Sequence, residues 1–467
     1  MSRRVFLGAA SALVLALAVS GCALGPQAQT DLPPIVFVHG NGDAAAVWQT
    51  TAWRFESNGW PRERLFALQH PYPLARDADS KAQPGRSSTA EHMAFLKAEV
   101  DRVLALTGAR KVVLVGNSRG GYAIRNYIQN GGGDRTVSHA ILGGTPNHGV
   151  WAIPGFNEGS EFSGTGPFLK GLNAPKNAQG DEVTGPVQWM TLRSDRNDKY
   201  AQPDGEWIAA KGKPTGVNYD GPALQGADNR VLPRVDHRET SFSPAAFEAT
   251  YRFITGKPPA TTAVQTEPRP VLEGTVTGLG ARPEDKSSGN FSNNLPVPGA
   301  QVAVYAVEAS SGLRIGTQPA YRKTVGADGR WGPFQALQGV PYEFVVSAEG
   351  YATTHIYRSP FPRSSALVHL KADRLADADL SAHAIVQLVR PRGYLDPANH
   401  KITFDGQSPP PGVPQGPVAG VASSKLRLSQ PEDRAITAEF HGDSVERITA
   451  RTWPAKDNHA VWLEITQ

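Results

Sequence analysis

The chain is poor in cysteine, in net charge and in long apolar runs, and each shortage removes a class of protein. One cysteine, Cys22, occurs in 467 residues. No internal disulfide can therefore hold the fold together, and CxxC redox or zinc patterns are excluded. The HExxH metal pattern is missing as well. Charged residues make up 19%, and the formal net charge is +4, with Lys and Arg dispersed. That balance gives no electrostatic footprint for nucleic acid. The longest uncharged apolar run, Val5–Val19, is 15 residues, short of the ~20 that cross a bilayer as a helix. Glycine and proline are plentiful instead, at 48 and 38 residues, and a chain of this length is expected to hold two or three domains rich in turns.

The first residues read as an address. Ser2-Arg3-Arg4-Val5-Phe6-Leu7 is a twin-arginine export pattern followed by the short apolar run. Val19-Ser20-Gly21-Cys22 resembles the bacterial lipobox. The resemblance implies a signal peptide over 1–21, lipidation of Cys22 and a tether over 22–32. The expected product is a membrane-anchored lipoprotein, and Ala23 points to the periplasmic face of the outer membrane or the cell surface.

From 33 to 256 the chain alternates strand-like and helix-like pieces, which predicts an α/β domain around a mostly parallel sheet. Its centre is Lys111–Gly121, KVVLVGNSRGG. Val112–Val115 is a continuous apolar run, as expected of a strand covered on both faces. Gly116-Asn117-Ser118-Arg119-Gly120 fits G-x-S-x-G, in which glycines permit the strained strand-to-helix turn that presents a serine. Ala123, Ile124, Tyr127 and Ile128 then recur at helical spacing. A second helix is predicted from Thr89 to Leu106, because Ser88 and Glu91 stand at capping-box spacing and Gly108 supplies a stop. Further strands are expected at Ile35–Val38, Ala140–Leu142, Val187–Leu192 and Val231–Val235, with a final helix opening at Ser243-Pro244. The segment 150–186 is irregular, with aromatics at Trp151, Phe156, Phe162 and Phe168. It reads either as an acyl-pocket lining or mobile cap, or as a packed surface loop.

After a proline- and threonine-rich linker at 257–268 the hydrophobic period changes to two. Strand candidates at Val271–Thr277, Gln301–Val307 and Tyr342–Ser347 suggest a small β-sandwich over 269–371, whose LPVPGAQVAVY (Leu295–Tyr305) and GADGRWGPF (Gly326–Phe334) stretches resemble transthyretin-like or carboxypeptidase-regulatory-like modules. Candidates at Ala384–Val389, Lys401–Phe404, Ala435–Phe440 and Ala460–Ile465 suggest a second β module over 374–467.

Four stretches taken together, IVFVHGNG (Ile35–Gly42), VLVGNSRGG (Val113–Gly121), LGGTPNHG (Leu142–Gly149) and VDHRE (Val235–Glu239), resemble a lipase of the α/β-hydrolase superfamily. The β-rich C-terminal half is similar to that of lipases carrying a C-terminal β domain. The resemblance implies a triad in the order Ser, acid, His, each on a loop after a strand. Ser118 is then the nucleophile and His237 the base, because His39, His70 and His92 precede the serine and His148 precedes every strand-end acid. The acid is Asp198, by the spacing of small bacterial lipases, with Asp195 as the alternative. The oxyanion donors map to the backbone N–H groups of Asn41 and Arg119, and Gly116 and Gly120 frame the elbow. His39 is expected to shape its loop.

The sequence thus points to an exported serine hydrolase of carboxylic esters, with an acyl-ester substrate, no cofactor and no metal. The same triad would suit a polyester or polyhydroxyalkanoate depolymerase, and a surface binding protein with an inactive hydrolase domain is a third reading. Arg119, a charge beside the nucleophile of an enzyme for apolar substrates, has no explanation in the sequence.

Overall fold

The apolar runs read as strands assemble into one sheet in the computed structural model, which describes residues 32–206, 208, 212–279, 293–414, 420–430 and 433–467 together with residue 1. The expected signal and Cys22 lie outside the described residues. Strands β1 (Ile35–Val38), β2 (Leu65–Ala67), β3 (Val112–Asn117), β4 (Val137–Gly143), β5 (Gln188–Ser194) and β6 (Asp228–Leu232) pair in the order β2-β1-β3-β4-β5-β6. Every pairing is parallel. All of β3 is buried, as its unbroken apolar run requires of a central strand.

Helices cover both faces, the first of them α1 (Gln49–Ser57). On one side α2 (Thr89–Thr107) sets Leu96, Val100 and Val103, and α3 (Arg119–Asn130) sets Ala123, Ile124 and Tyr127, against Val36, Leu114 and Leu142. Each such aliphatic side chain contributes about 1.5–3 kcal/mol when fully buried. On the other side Phe37 stacks on Trp48 at 5.0 Å and Phe55 meets Phe247 edge-on at 5.1 Å. The predicted capping box forms: Ser88 Oγ accepts from Glu91 N at 3.2 Å, and Glu91 Oε2 accepts from Ser88 N at 2.7 Å. Gly108 ends the helix in the left-handed region at φ 66.

β6 ends three residues before the predicted Val231–Val235 strand does. Pro233 has no N–H to offer a ladder, and Arg234 turns to φ 61. The chain leaving β6 is therefore a tight turn into the short helix Glu239–Phe242.

In the C-terminal half, a seven-stranded sheet runs through both β stretches distinguished in the sequence. Its seam is His459–Glu464, which pairs in parallel with Thr353–Arg358 on one side and with Ala384–Val389 on the other. The two stretches thus share one sheet and cannot separate without breaking these ladders. The linker is not a free spacer either. Arg54 Nε donates to Thr262 O at 3.0 Å, Asn58 Nδ2 to Thr261 O at 2.8 Å, and the Gln265 N–H to Ser57 Oγ at 2.9 Å. Trp53, on helix Gln49–Ser57, completes the core of the β half and donates from Nε1 to Ser364 O at 2.8 Å. Among the described residues no helix is long and apolar enough to cross a membrane.

Candidate active site

Parallel α/β sheets place their sites beyond the carboxyl ends of the strands, and the predicted residues fall there. Ser118 follows β3 directly and takes φ 52, ψ −122, in the left-handed half of backbone space for a residue with a Cβ. Such strain persists only where the surroundings enforce it. The enforcement is steric: a Cβ on Gly120 would lie 2.4 Å from Val38 O, and one on Gly116 would lie 2.7 Å from Ile124 Cδ1. Both flanking residues must be glycine for helix α3 to start this close to β1 and β3.

Ser118 and His237 line one cavity of about 200 Å³. His237 Nδ1 lies 2.8 Å from Asp198 Oδ2, and Asp198 Oδ1 accepts from the Tyr200 N–H at 2.8 Å. This leaves His237 Nε2 as the ring nitrogen on the far side from the carboxylate. The ring is held edge-on by Tyr200, centroids 4.6 Å apart. Asp195 is engaged elsewhere, with Oδ1 accepting from the N–H groups of Arg196 in its own loop at 2.8 Å and of Arg234 after β6 at 3.1 Å. The structure thus brings Asp198, and not Asp195, onto the imidazole.

Asn41 sits in the loop after β1, where its side-chain Oδ1 accepts from the Ala75 N–H at 2.8 Å. Among the described residues the backbone N–H groups of Asn41 and Arg119 donate to no protein acceptor. Asn41 itself lines the cavity. His39 shapes this loop through Nδ1 to Gly40 O at 3.0 Å and Nε2 to the His70 N–H at 3.3 Å. Burial holds its pKa below the ordinary imidazole value, so it stays neutral. His148 is engaged elsewhere, 2.9 Å from Glu182 Oε1.

The charge on Arg119 never reaches the cavity. Its guanidinium is fully buried and spends all of its donors on protein. Nε and Nη2 hold Glu161 at 2.8 and 2.9 Å, Nη1 reaches Pro73 O and Ser87 Oγ at 3.0 Å each, and Nη2 also reaches Ser87 O at 2.7 Å. Arg119 is a clamp that ties the first turn of α3 to the segments around Pro73, Ser87 and Glu161. Within 150–186, Trp151, Phe156 and Phe162 line the cavity while Phe168 packs against Tyr122.

Several cavity residues carried no sequence signal. Tyr200 adjoins the acid but matches no motif. Asp43, just beyond the IVFVHGNG stretch, lines the cavity and pairs with Arg238 of VDHRE at 2.7 Å. Tyr394 comes from the β half, and nothing in its surroundings, VRPRGYLDP, marks it as part of a site. Among the described residues no group of three or more His, Cys, Asp or Glu side chains is arranged to hold a metal ion.

Comparison with known proteins matches two parts of the chain. Residues 32–183 match the family of class 2 lipases, and residues 271–375 match the lipase C-terminal domain. A non-heme haloperoxidase of Rhodococcus erythropolis is 30% identical over 116 residues, which is 24% of this chain. The chain spans 37% of the length of that curated relative. Among solved structures, a Bacillus licheniformis lipase in its propeptide form is 15% identical, with a TM-score of 0.35 over 90% of this chain and 93% of that one. The mature form is 20% identical, with a TM-score of 0.34 over 48% of this chain and 92% of that one. Residues 32–183, within the parallel α/β part, are thus similar to class 2 lipases, and residues 271–375, within the β-rich half, to the lipase C-terminal domain.

Proposed function

We propose that the protein hydrolyses carboxylic esters of apolar acyl groups through an acyl-enzyme on Ser118. One observation carries the reading: a backbone-strained serine shares a cavity with a histidine whose Nδ1 is held by a buried carboxylate. A serine hydroxyl is a weak nucleophile until a base removes its proton. His237 Nε2 takes that proton as Oγ attacks the ester carbon, while Asp198 fixes the tautomer and stabilises the imidazolium. The N–H groups of Asn41 and Arg119 receive the developing oxyanion, and preorganised donors of this kind are worth about 2.7–4 kcal/mol each. His237 then protonates the leaving alkoxide. Water, deprotonated by the same nitrogen, attacks the acyl-enzyme and releases the acid. Trp151, Phe156, Phe162 and Val150 give the cavity apolar walls, which suit an acyl chain and repel a charged substrate. Turnover of p-nitrophenyl butyrate by wild type, Ser118→Ala and His237→Ala tests the reading. Wild type should turn over and each variant should lose nearly all rate; a folded wild type that hydrolyses no ester sinks it.

The signal pattern and Cys22 support a further part of the proposal, an exported chain tethered to membrane by lipid. Cys22→Ser should abolish radiolabelled palmitate incorporation and release the protein from membranes. Undiminished incorporation in the variant would refute the anchor.

A further inference from the structure

The stretch Arg390–Asp396 of the β half bonds the base loop, the acid loop and the segment that opens helix Gln49–Ser57. Against the base loop, the Tyr394 N–H donates to Asp236 Oδ2 at 2.5 Å, and Arg390 Nη2 reaches Glu239 Oε1 at 2.6 Å. These two acids bracket His237 in sequence, and Arg238 between them donates from Nη1 to Pro391 O. Against the acid loop, Asn197 Nδ2 donates to Asp396 Oδ2 at 2.9 Å. Next to the oxyanion loop, Arg392 Nη2 donates to Ala46 O at 2.8 Å and to Gln49 Oε1 at 3.0 Å. Arg390, Arg392, Tyr394 and Asp396 are all buried, so the stretch is packed into the catalytic half rather than laid over it.

The same strap delivers a ring to the cavity. Tyr394 lines it together with Ser118 and His237. Lys199 Nζ, 4.6 Å from the ring centroid, and Arg238, 5.9 Å from it, hold the ring by its faces. Arg390 Nη1 fixes its backbone through Tyr394 O at 2.7 Å.

We infer that Tyr394 is a specificity-determining residue, its ring limiting the length of apolar chain accepted beside Ser118, and that Arg390 positions the His237 loop. The inference rests on the proposed ester hydrolysis. Arg390 is suited to positioning because it supplies cation to a site with two acids: it bonds Glu239 directly and stands 3.7 Å from Asp236. Without it, Glu239 loses the guanidinium that bonds it and Asp236 the one 3.7 Å away.

The test uses the full chain and p-nitrophenyl acetate, butyrate and octanoate, with circular dichroism and fluorophosphonate labelling as measures of folding and an intact nucleophile. Tyr394→Ala should raise the octanoate-to-acetate ratio of kcat/KM by about tenfold, while Tyr394→Phe, which keeps the ring, should hold the ratio within about twofold of wild type. Arg390→Met should lower kcat by about tenfold with KM within about twofold and the chain-length ratio retained, and Arg390→Lys should recover part of the loss. A folded, labelled Tyr394→Ala protein with the wild-type ratio overturns the specificity role. An Arg390→Met protein that melts earlier but keeps wild-type kcat overturns the positioning role. A folded wild type that neither labels nor turns over any ester overturns the ester-hydrolase reading, and this inference with it.

Discussion

Replacing Glu161 with Gln isolates the Arg119 clamp, because the volume is kept and only the charge and one acceptor are lost. The pair is 0% and 2% exposed at its side chains, so water cannot take over the freed donors. Burial raises the Glu161 pKa above the ordinary carboxylate value, against the opposing pull of Arg119. In the variant, an amide NH₂ faces guanidinium donors, and Arg119 is left buried with no counter-charge. Removing one partner of a buried pair costs about 3–5 kcal/mol. Urea denaturation followed by tryptophan fluorescence should show that loss, whereas Glu99→Gln, which breaks the surface Glu99–Arg102 pair on α2, should cost about 0.5 kcal/mol or less. Because the Arg119 N–H is the proposed oxyanion donor, kcat should fall by about 10- to 100-fold as the first turn of α3 loosens. A Glu161→Gln protein as stable as Glu99→Gln, or one with wild-type kcat, refutes the clamp.

Gly120→Ala places a methyl 2.4 Å from Val38 O and 2.8 Å from His39 O; the protein should lose soluble yield or, if recovered, both stability and turnover, and a wild-type melting temperature would contradict the steric account. Asp198→Asn should lower kcat by about 10³–10⁴-fold by fixing the wrong tautomer, while Asp195→Asn, whose carboxylate bonds the backbone N–H groups of Arg196 and Arg234 and not the imidazole, should stay within about threefold. Equal losses in the two would remove Asp198 from its role. Burial, and then Glu239, push the Asp236 pKa up from 3.8 to about 7. The folded state thus binds this proton more tightly than the unfolded chain, so its stabilising contribution is whole below about pH 4 and is lost as the pH rises to about 7. Asp236→Asn should flatten the fall in melting temperature across that window; an unaltered slope would mean that Asp236 does not titrate there.

The elbow is legible in the sequence because everything that makes it is local: a strand, two glycines that no Cβ could replace and a helix within about twenty residues. The acid is not. Asp195 and Asp198 stand three residues apart in one loop, and what separates them is the direction of each side chain, set by contacts with Arg234 and His237. Arg119 has no sequence explanation for the same reason, since its partner Glu161 is brought near only when 150–186 folds over α3. The two β stretches read as separate because the strand that joins them, His459–Glu464, pairs with segments some 70–100 residues earlier. Periodicity reports which face of a strand is buried but carries no record of its neighbour. Tyr394 and its strap are the largest omission, because a residue that serves a site from another part of the chain leaves no motif beside the nucleophile.

Everything proposed for the site depends on Ser118 forming the covalent intermediate. Reaction of the full chain with a fluorophosphonate, with digestion and peptide mass mapping, addresses that step directly. A single adduct is expected on the peptide carrying Ser118, slowed severely in His237→Ala and absent in Ser118→Ala together with ester hydrolysis. An adduct on any other residue, or hydrolysis that survives in Ser118→Ala, would contradict the assignment of Ser118 as nucleophile.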